Sequence, residues 1–216
     1  MRGRIVALLA AVAVVAVAAQ AGAGEEGWVS LFDGKTLDGW TQINGKATYV
    51  VEEGTIKGTT AKRSPNSFLC TVKHYGDFEL EFEVKCDPRL NSGCQIRSNS
   101  SQKYRRGRVH GYQVEIATRN AGRIYDEARR GKWLDTNPLS DEAKKAYKPK
   151  EWNKYRVVCV GNSIKTWVNG VAVADVQDDV TATGFIGLQV HSFRGDPPAS
   201  VQWRNLRIRD LSKKTK

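Results

Sequence analysis

The chain has 216 residues, with 34 Lys and Arg against 23 Asp and Glu, a formal net charge of +11, and four cysteines. That length suits one domain with a two-layer core that needs no disulfide support. The basic residues are dispersed apart from 103–108, 129–132 and the tail, and they lack the aromatic-interleaved pattern of an RNA-recognition fold. Nucleic acid is therefore excluded as a partner, and the charge reads as solubility and weak surface adhesion.

Residues 1–23 combine Arg2 and Arg4 with an Ala, Val and Leu run that ends in small residues. This pattern predicts a secretory signal peptide cleaved after Ala21 or Ala23. No cysteine follows the run, so a lipoprotein anchor is not indicated. The expectation is a secreted or periplasmic protein without stable membrane insertion, whose residues 24–216 form a single domain. Cys70, Cys86, Cys94 and Cys159 could form two bridges there, with three pairings open. None lies in a CxxC motif, so zinc has little support, and Cys94 and Cys159 also read as small buried hydrophobes.

Along the mature chain, GWVSLFDGKTLDGW (27–40) reads as an entry strand with turns at Asp33-Gly34 and Asp38-Gly39, its aspartates acting as turn formers. TYVVEEGTIKGT is a hairpin about Glu53-Gly54, and SFLCTV another short strand. FELEFEV (78–84) alternates with period two, placing Phe78, Leu80, Phe82 and Val84 inside. Glu79, Glu81 and Glu83 then form a solvated face, with an acidic groove as the lesser alternative.

Three further strands share an unusual pattern. NSGCQIR places Gly93, Gln95 and Arg97 opposite Cys94 and Ile96, and HGYQVEI places Gly111, Gln113 and Glu115 opposite Tyr112, Val114 and Ile116. GFIGLQVHS places Gly187, Gln189 and His191 opposite Ile186, Leu188 and Val190. Glycine weakens a strand unless something approaches its backbone, so these rows read as a cleft floor rather than a plain polar face. The polar loops 98–109 and 117–140 follow the first two of these strands, and the second brings Tyr125, Arg129 and Trp133 to a pocket wall. One helix is predicted over 141–147, started by Pro138 and Ser140 and ended by Pro149. EWNKYRVVCV, a hairpin about Asn169-Gly170, and the terminal ASVQWRNLRIRDL complete an all-β chain. The expected fold is a jelly-roll β-sandwich of two antiparallel sheets with one short helix.

LFDGKTLDGW, NSGCQIR, GYQVEI, GRIYDE, EWNKYRVVCVGNSIKTWVNGVAV, GFIGLQVHS and VQWRNLRIRDL, in that order, resemble the 3-keto-disaccharide hydrolase domain family over essentially the whole mature chain. The resemblance implies a concanavalin-like, lectin-like jelly roll, bacterial secretion, and action on glycosides already oxidised to a ketone at sugar carbon 3. Ala117, directly after GYQVEI, stands where the resemblance implies an acidic residue.

An ordinary glycosidase needs two carboxyl groups, and only Glu115 is firmly placed on the floor, with Glu83, Asp126 and Glu127 as uncertain partners. A 3-keto sugar relaxes that need. The ketone acidifies the proton on carbon 2, so one base, one donor for the enolate oxygen and one proton source suffice. Glu115 or His191 is the expected base, histidine suiting the task because imidazole titrates near neutrality. Arg97 and Gln113 would orient the sugar and stabilise the oxyanion, with Gln95 and Gln189 beside them on the floor. Tyr125 and Arg129 would bind sugar from the loop, and Trp133 would stack on a ring. No cofactor is required, although Glu115 and His191 could share a divalent metal that polarises the ketone. His74 and His110 read as structural. The rival expectations are a non-catalytic carbohydrate-binding module on the same sheet and a cell-surface adhesin on the basic face; the oligomeric state is left open.

Overall fold

The computed structural model of the chain describes residues 26–212; the signal peptide read over 1–23 lies outside them. Alternating strands come in chain order as β1 (Trp28–Ser30), β2 (Trp40–Ile43), β3 (Thr48–Glu52), β4 (Thr55–Thr59), β5 (Ser67–Thr71), β6 (Phe78–Cys86), β7 (Ser92–Asn99), β8 (His110–Ile116) and β9 (Ile124–Glu127). The helix α1 (Asp141–Ala146) follows, then β10 (Asn153–Val160), β11 (Ser163–Val168), β12 (Val171–Gln177), β13 (Phe185–Val190) and β14 (Ser200–Asp210). One antiparallel sheet runs β12-β11-β10-β6-β14-β4-β3, with β1 also paired to β14, and the other runs β2-β5-β13-β7-β8-β9. The expected two-sheet sandwich with one short helix is what forms. Among the described residues no helix is long and apolar enough to cross a membrane.

The apolar rows meet between the sheets. Phe78, Leu80, Phe82 and Val84 of β6 and Tyr155, Val157 and Cys159 of β10 face Cys94 and Ile96 of β7, Tyr112, Val114 and Ile116 of β8, and Ile186, Leu188 and Val190 of β13, all buried. Each such large side chain contributes roughly 1.5–3 kcal/mol by leaving water. On the outer side of the second sheet a smaller cluster of Phe68, Cys70, Val109 and Phe185 seats the loop between β7 and β8. Ser140 caps the helix by accepting from the Ala143 amide at 3.1 Å, and Asn169 and Gly170 take φ of 48° and 83° at the β11–β12 turn. The four cysteines are free and buried, and burial pushes Cys86 and Cys159 up to about 12. The two bridges left open by the sequence do not form; the thiols serve as small buried core groups, three of them in the main cluster.

Three departures from the expected pattern matter. The glutamate row of β6 is not a solvated face: Glu79 and Glu81 are only 5% and 9% exposed. Arg156 and Arg209 cover Glu79, Arg207 and Lys154 cover Glu81, and Arg204 covers Glu83. A bulge in β14 between Arg204 and Arg207, with Asn205 at φ 53°, explains why Leu206 rather than Asn205 follows Trp203 into the core.

The third departure removes Arg97 from the polar row of β7. A register shift between Ile96 and Asn99, with Arg97 at φ 44°, turns its side chain out of that row. The guanidinium instead donates to the Gly76 and Gly161 carbonyls at 2.8 and 2.7 Å and to Asp77 at 2.8 Å. Ser98 takes the vacated direction, its hydroxyl donating to Gln95 Oε1 at 2.7 Å.

Candidate functional site

The polar rows of β13, β7 and β8 lie side by side because the strands are neighbours in register, with Gln189 opposite Gly93 and Gly93 opposite Glu115. One step along, Gln95 pairs with Gln113, and Gln113 with Tyr125 of β9. The segment 124–127, read as irregular from the sequence, is thus a strand that carries Tyr125 and Glu127 onto the same face.

The floor is a directional chain of amides. Ser98 donates to Gln95 Oε1, and the Nε2 atoms of Gln95 and Gln189 both donate to Gln113 Oε1, at 2.8 and 2.7 Å. With its oxygen committed twice, Gln113 presents Nε2 to Glu115 Oε2 at 3.1 Å. Gly93 is required by this packing: a Cβ there would fall 2.5 Å from the Gln113 side chain. The glycine therefore admits a glutamine, not a ligand, to the strand backbone. Gln95 and Gln189 are fully buried beneath Gln113, so both hold the floor in place rather than line the hollow.

Glu115 sits at the end of the amide chain, 6% exposed. Asn91 Nδ2 donates to its other oxygen. Both partners are neutral, and burial dominates: it pushes the Glu115 carboxyl up to about 7, helped by nearby Glu127, while the Asn91 and Gln113 hydrogen bonds pull the other way. Above this carboxyl is a hollow of about 400 Å³ lined by Glu115, Gln113, His191, Tyr125 and Trp133, together with Asn66, Asn91, Arg108, Glu127 and Ser192.

Of the expected site residues, Glu115, His191, Gln113, Tyr125 and Trp133 therefore meet. His191 Nδ1 lies 2.9 Å from the Ser192 carbonyl; a carbonyl only accepts, so Nδ1 carries the proton and Nε2 of the neutral ring is the acceptor. The Tyr125 and Trp133 rings pack edge to face at 5.1 Å and form one wall. Arg108 donates to Glu127 at 3.1 Å. Asn66 Oδ1 accepts from the Ser192 amide at 2.9 Å, which leaves its amide nitrogen as a donor.

Arg97 and Arg129 do not join them. Arg97 is held by the bulge as described, and Arg129 turns inward. Its Nε donates to buried Asp126 at 2.8 Å, one terminal nitrogen reaches Thr181 Oγ1 at 3.2 Å, and its guanidinium lies 4.6 Å from the Tyr112 ring centre. Asn66 and Arg108 were missed because each belongs to a loop with no periodic signal; Asn91 opens NSGCQIR in step with Gly93 and Gln95 but was not singled out from that row. Among the described residues no group of three or more His, Cys, Asp or Glu is placed to hold a metal ion. Glu115 has both oxygens engaged by amides, so this donor set does not fit a resident divalent ion. A larger hollow, about 1200 Å³, lies elsewhere, near Val29, Trp40 and Leu211, and contains none of the residues that the polar rows bring together.

Solved structures support this architecture. A Parabacteroides distasonis protein provisionally named a glycosyl hydrolase is 22% identical, with a TM-score of 0.63, over 86% of this chain and 94% of its own. A carbohydrate-binding module from Bacillus subtilis is 18% identical, with a TM-score of 0.55, over 78% and 94%. A Bacillus subtilis protein of unknown function with a galectin-like fold is 9% identical, with a TM-score of 0.60, over 81% and 90%. At these identities the likeness is one of fold. Among curated proteins, none matches this sequence. Residues 27–209, which take in nearly all of both sheets, match the model of the 3-keto-alpha-glucoside-1,2-lyase-like domain, and the chain belongs to that family.

Proposed function

We propose that this protein cleaves the glycosidic bond of 3-keto-glycosides, 3-keto-disaccharides included, by elimination followed by hydration. The observation that carries the reading is Glu115: a carboxyl brought near neutrality by burial, fixed by two amides, at the base of a hollow with an aromatic wall. A base whose pKa lies near the working pH is best suited to removing a carbon-bound proton.

In this scheme ionised Glu115 takes the proton from carbon 2, and the electron pair passes onto the carbon 3 oxygen. Arg108 and the amide nitrogen of Asn66 donate to that oxyanion, the role first expected of Arg97. When the ketone re-forms, a double bond develops between carbons 1 and 2, the bond from carbon 1 to the glycosidic oxygen breaks, and the departing oxygen receives the proton held by Glu115. Water then adds across the double bond: His191 Nε2 accepts a proton as the water oxygen bonds to carbon 1, and that same proton passes on to carbon 2, which returns the imidazole to its neutral form. Trp133 and Tyr125 position the ring, and Gln113 positions Glu115.

The test is incubation with 3-keto-glycosides while product is followed by mass spectrometry. Glu115→Gln should lose roughly 10²- to 10⁴-fold in kcat/KM, the range typical of a removed general base, while still binding the substrate. A wild type that releases nothing from any 3-keto-glycoside, or a variant with undiminished rate, overturns the scheme. The second reading is a non-catalytic sugar-binding domain. It is favoured by the aromatic wall and by the structural likeness to a carbohydrate-binding module. It predicts binding of unoxidised glycans without turnover, unaffected by Glu115→Gln.

A further inference from the structure

Beside the hollow above Glu115 lies a second one of about 230 Å³, and the two share Asn66 and Arg108 as a common wall. Its other side is made by Arg105 and Arg106, and Phe68 lies at its base. All three arginines are exposed. Among the described residues neither Arg105 nor Arg106 is paired with an acid, and the only carboxylate partner of Arg108 is Glu127 on the far side of the shared wall. No acidic residue lines this second hollow.

The arginines are held in a fixed loop. Asn44 grips the turn from both sides, donating to the Gly107 carbonyl at 3.0 Å and accepting from the Val109 amide at 2.8 Å. Ser100 donates to the same Gly107 carbonyl at 2.7 Å, and Tyr104 donates to the Ala128 carbonyl at 2.9 Å while packing on His110. Val109 anchors the loop in the small outer cluster. Arg105 and Arg106 take φ of 44° and 57°, a backbone region in which a branched or long L side chain is disfavoured and in which Gly or Asn would be easier. Such strain persists where surrounding contacts over-determine it, and it clusters at binding sites. A rigid turn that projects guanidinium groups over an acid-free hollow matches the fork geometry that recognises carboxylates and the oxygens of sulfate or phosphate esters.

We propose that this second hollow binds an anionic group on the leaving portion of the substrate, so that the preferred substrates are 3-keto-glycosides with an acidic aglycone. The inference rests on the elimination reading for the neighbouring hollow and adds the substrate class. The scissile bond lies over the shared wall, with the oxidised ring above Glu115 and the acidic unit against Arg105 and Arg106. Arg108, between them, faces both.

The experiment compares matched 3-keto-glucosides whose aryl aglycone carries a free carboxylate, a sulfonate or the neutral methyl ester, using wild type and an Arg105→Gln/Arg106→Gln double variant. Comparison of acid-to-ester ratios between the two proteins cancels the difference in leaving-group ability. The expected result is a kcat/KM ratio at least about tenfold larger in wild type, falling toward that of the variant in high salt, with turnover of the ester unchanged by the substitutions. The carboxylate and sulfonate arms identify which anion is preferred. Equal ratios in the two proteins overturn the proposal while leaving the elimination reading intact. If no 3-keto-glucoside turns over, the elimination reading fails, and calorimetry with the unoxidised glucosides decides the subsite. Salt-sensitive binding of the acid that is lost in the double variant supports it, and acid and ester binding alike overturns it.

Discussion

Replacing Glu115 with glutamine isolates the electrostatics of the site through stability rather than turnover. In the unfolded chain this carboxyl titrates at its ordinary value near 4.5, whereas burial in the fold moves it to about 7. Between those values the folded protein holds a proton that the unfolded chain has released. The contribution of Glu115 is thus fully present below about pH 4.5 and is lost as pH rises through 7. Each pH unit in the window is worth about 1.4 kcal/mol, so wild type should lose on the order of 3 kcal/mol across it from this one group. Glutamine does not titrate, and the loss disappears with it. At pH 5 the protonated wild-type carboxyl, like the amide of the variant, offers Asn91 and Gln113 one full acceptor and one donor group, so the two proteins start from similar hydrogen bonding. The informative quantity is therefore the pH dependence of the difference between the two proteins, measured by urea denaturation from pH 5 to 9. Glu115→Gln should be close to wild type at pH 5 and gain on it steadily toward pH 8. Parallel curves would refute the claim that Glu115 is charged at the expense of the fold.

Three other outcomes follow from the same geometry. For a 3-keto-glycoside, kcat/KM should rise through a limb near pH 7, because the base must be ionised; a limb near 4.5 would mean that another carboxyl acts or that the site floods. Gln95→Leu or Gln189→Leu removes one of the two donors that fix the Gln113 amide, letting its carbonyl turn toward Glu115. The same limb should then move to higher pH, and an unmoved limb would show that the amide chain does not orient the donor. Arg97→Met leaves the Gly76 and Gly161 carbonyls without their donor, while Asp77 is partly exposed and keeps the Gly161 amide. It should destabilise the fold by about 1–3 kcal/mol in denaturation and leave kcat/KM of the folded fraction unchanged; a selective loss of kcat would return Arg97 to the chemistry.

Period-two alternation made most of the fold legible, since the core needs only the apolar rows and the turn residues that separate them. The hairpins at Glu53-Gly54 and Asn169-Gly170 and the strands around FELEFEV and HGYQVEI all form where the pattern sets them. Alternation misled where one residue breaks it. The bulge at Arg97 has no signature in NSGCQIR, and nothing local announces that Asp126 turns Arg129 inward. β9 was hidden because its four residues acquire strand geometry only by pairing with β8. Asn66 and Arg108 come from loops, and only tertiary structure aims them at the hollow they line.

The deeper difficulty is that two glutamate-bearing strands look alike in one dimension. FELEFEV and GYQVEI both alternate apolar and polar residues, and both turn their glutamates onto an outer sheet face, where Glu79, Glu81 and Glu115 are buried and Glu83 is half-buried. Their depth and their partners separate them. Burial alone would raise Glu81 and Glu83, yet both sit below the usual carboxylate range because Arg207 and Lys154 on one, and Asn205 and Arg204 on the other, favour the charged form. Glu115 is buried more deeply than either and meets only the uncharged donors Asn91 and Gln113, with another carboxylate close by. A salt-bridged glutamate gives up its basicity to its partner, whereas one held by amides keeps it. The polar rows of glutamine and glycine are the visible mark of that difference: amides supply orientation without countercharge, and glycine lets them lie flat against the strands. The chain can therefore carry a nearly neutral base on one sheet and a fully compensated ion lattice on the other, although the two strands spell much the same pattern.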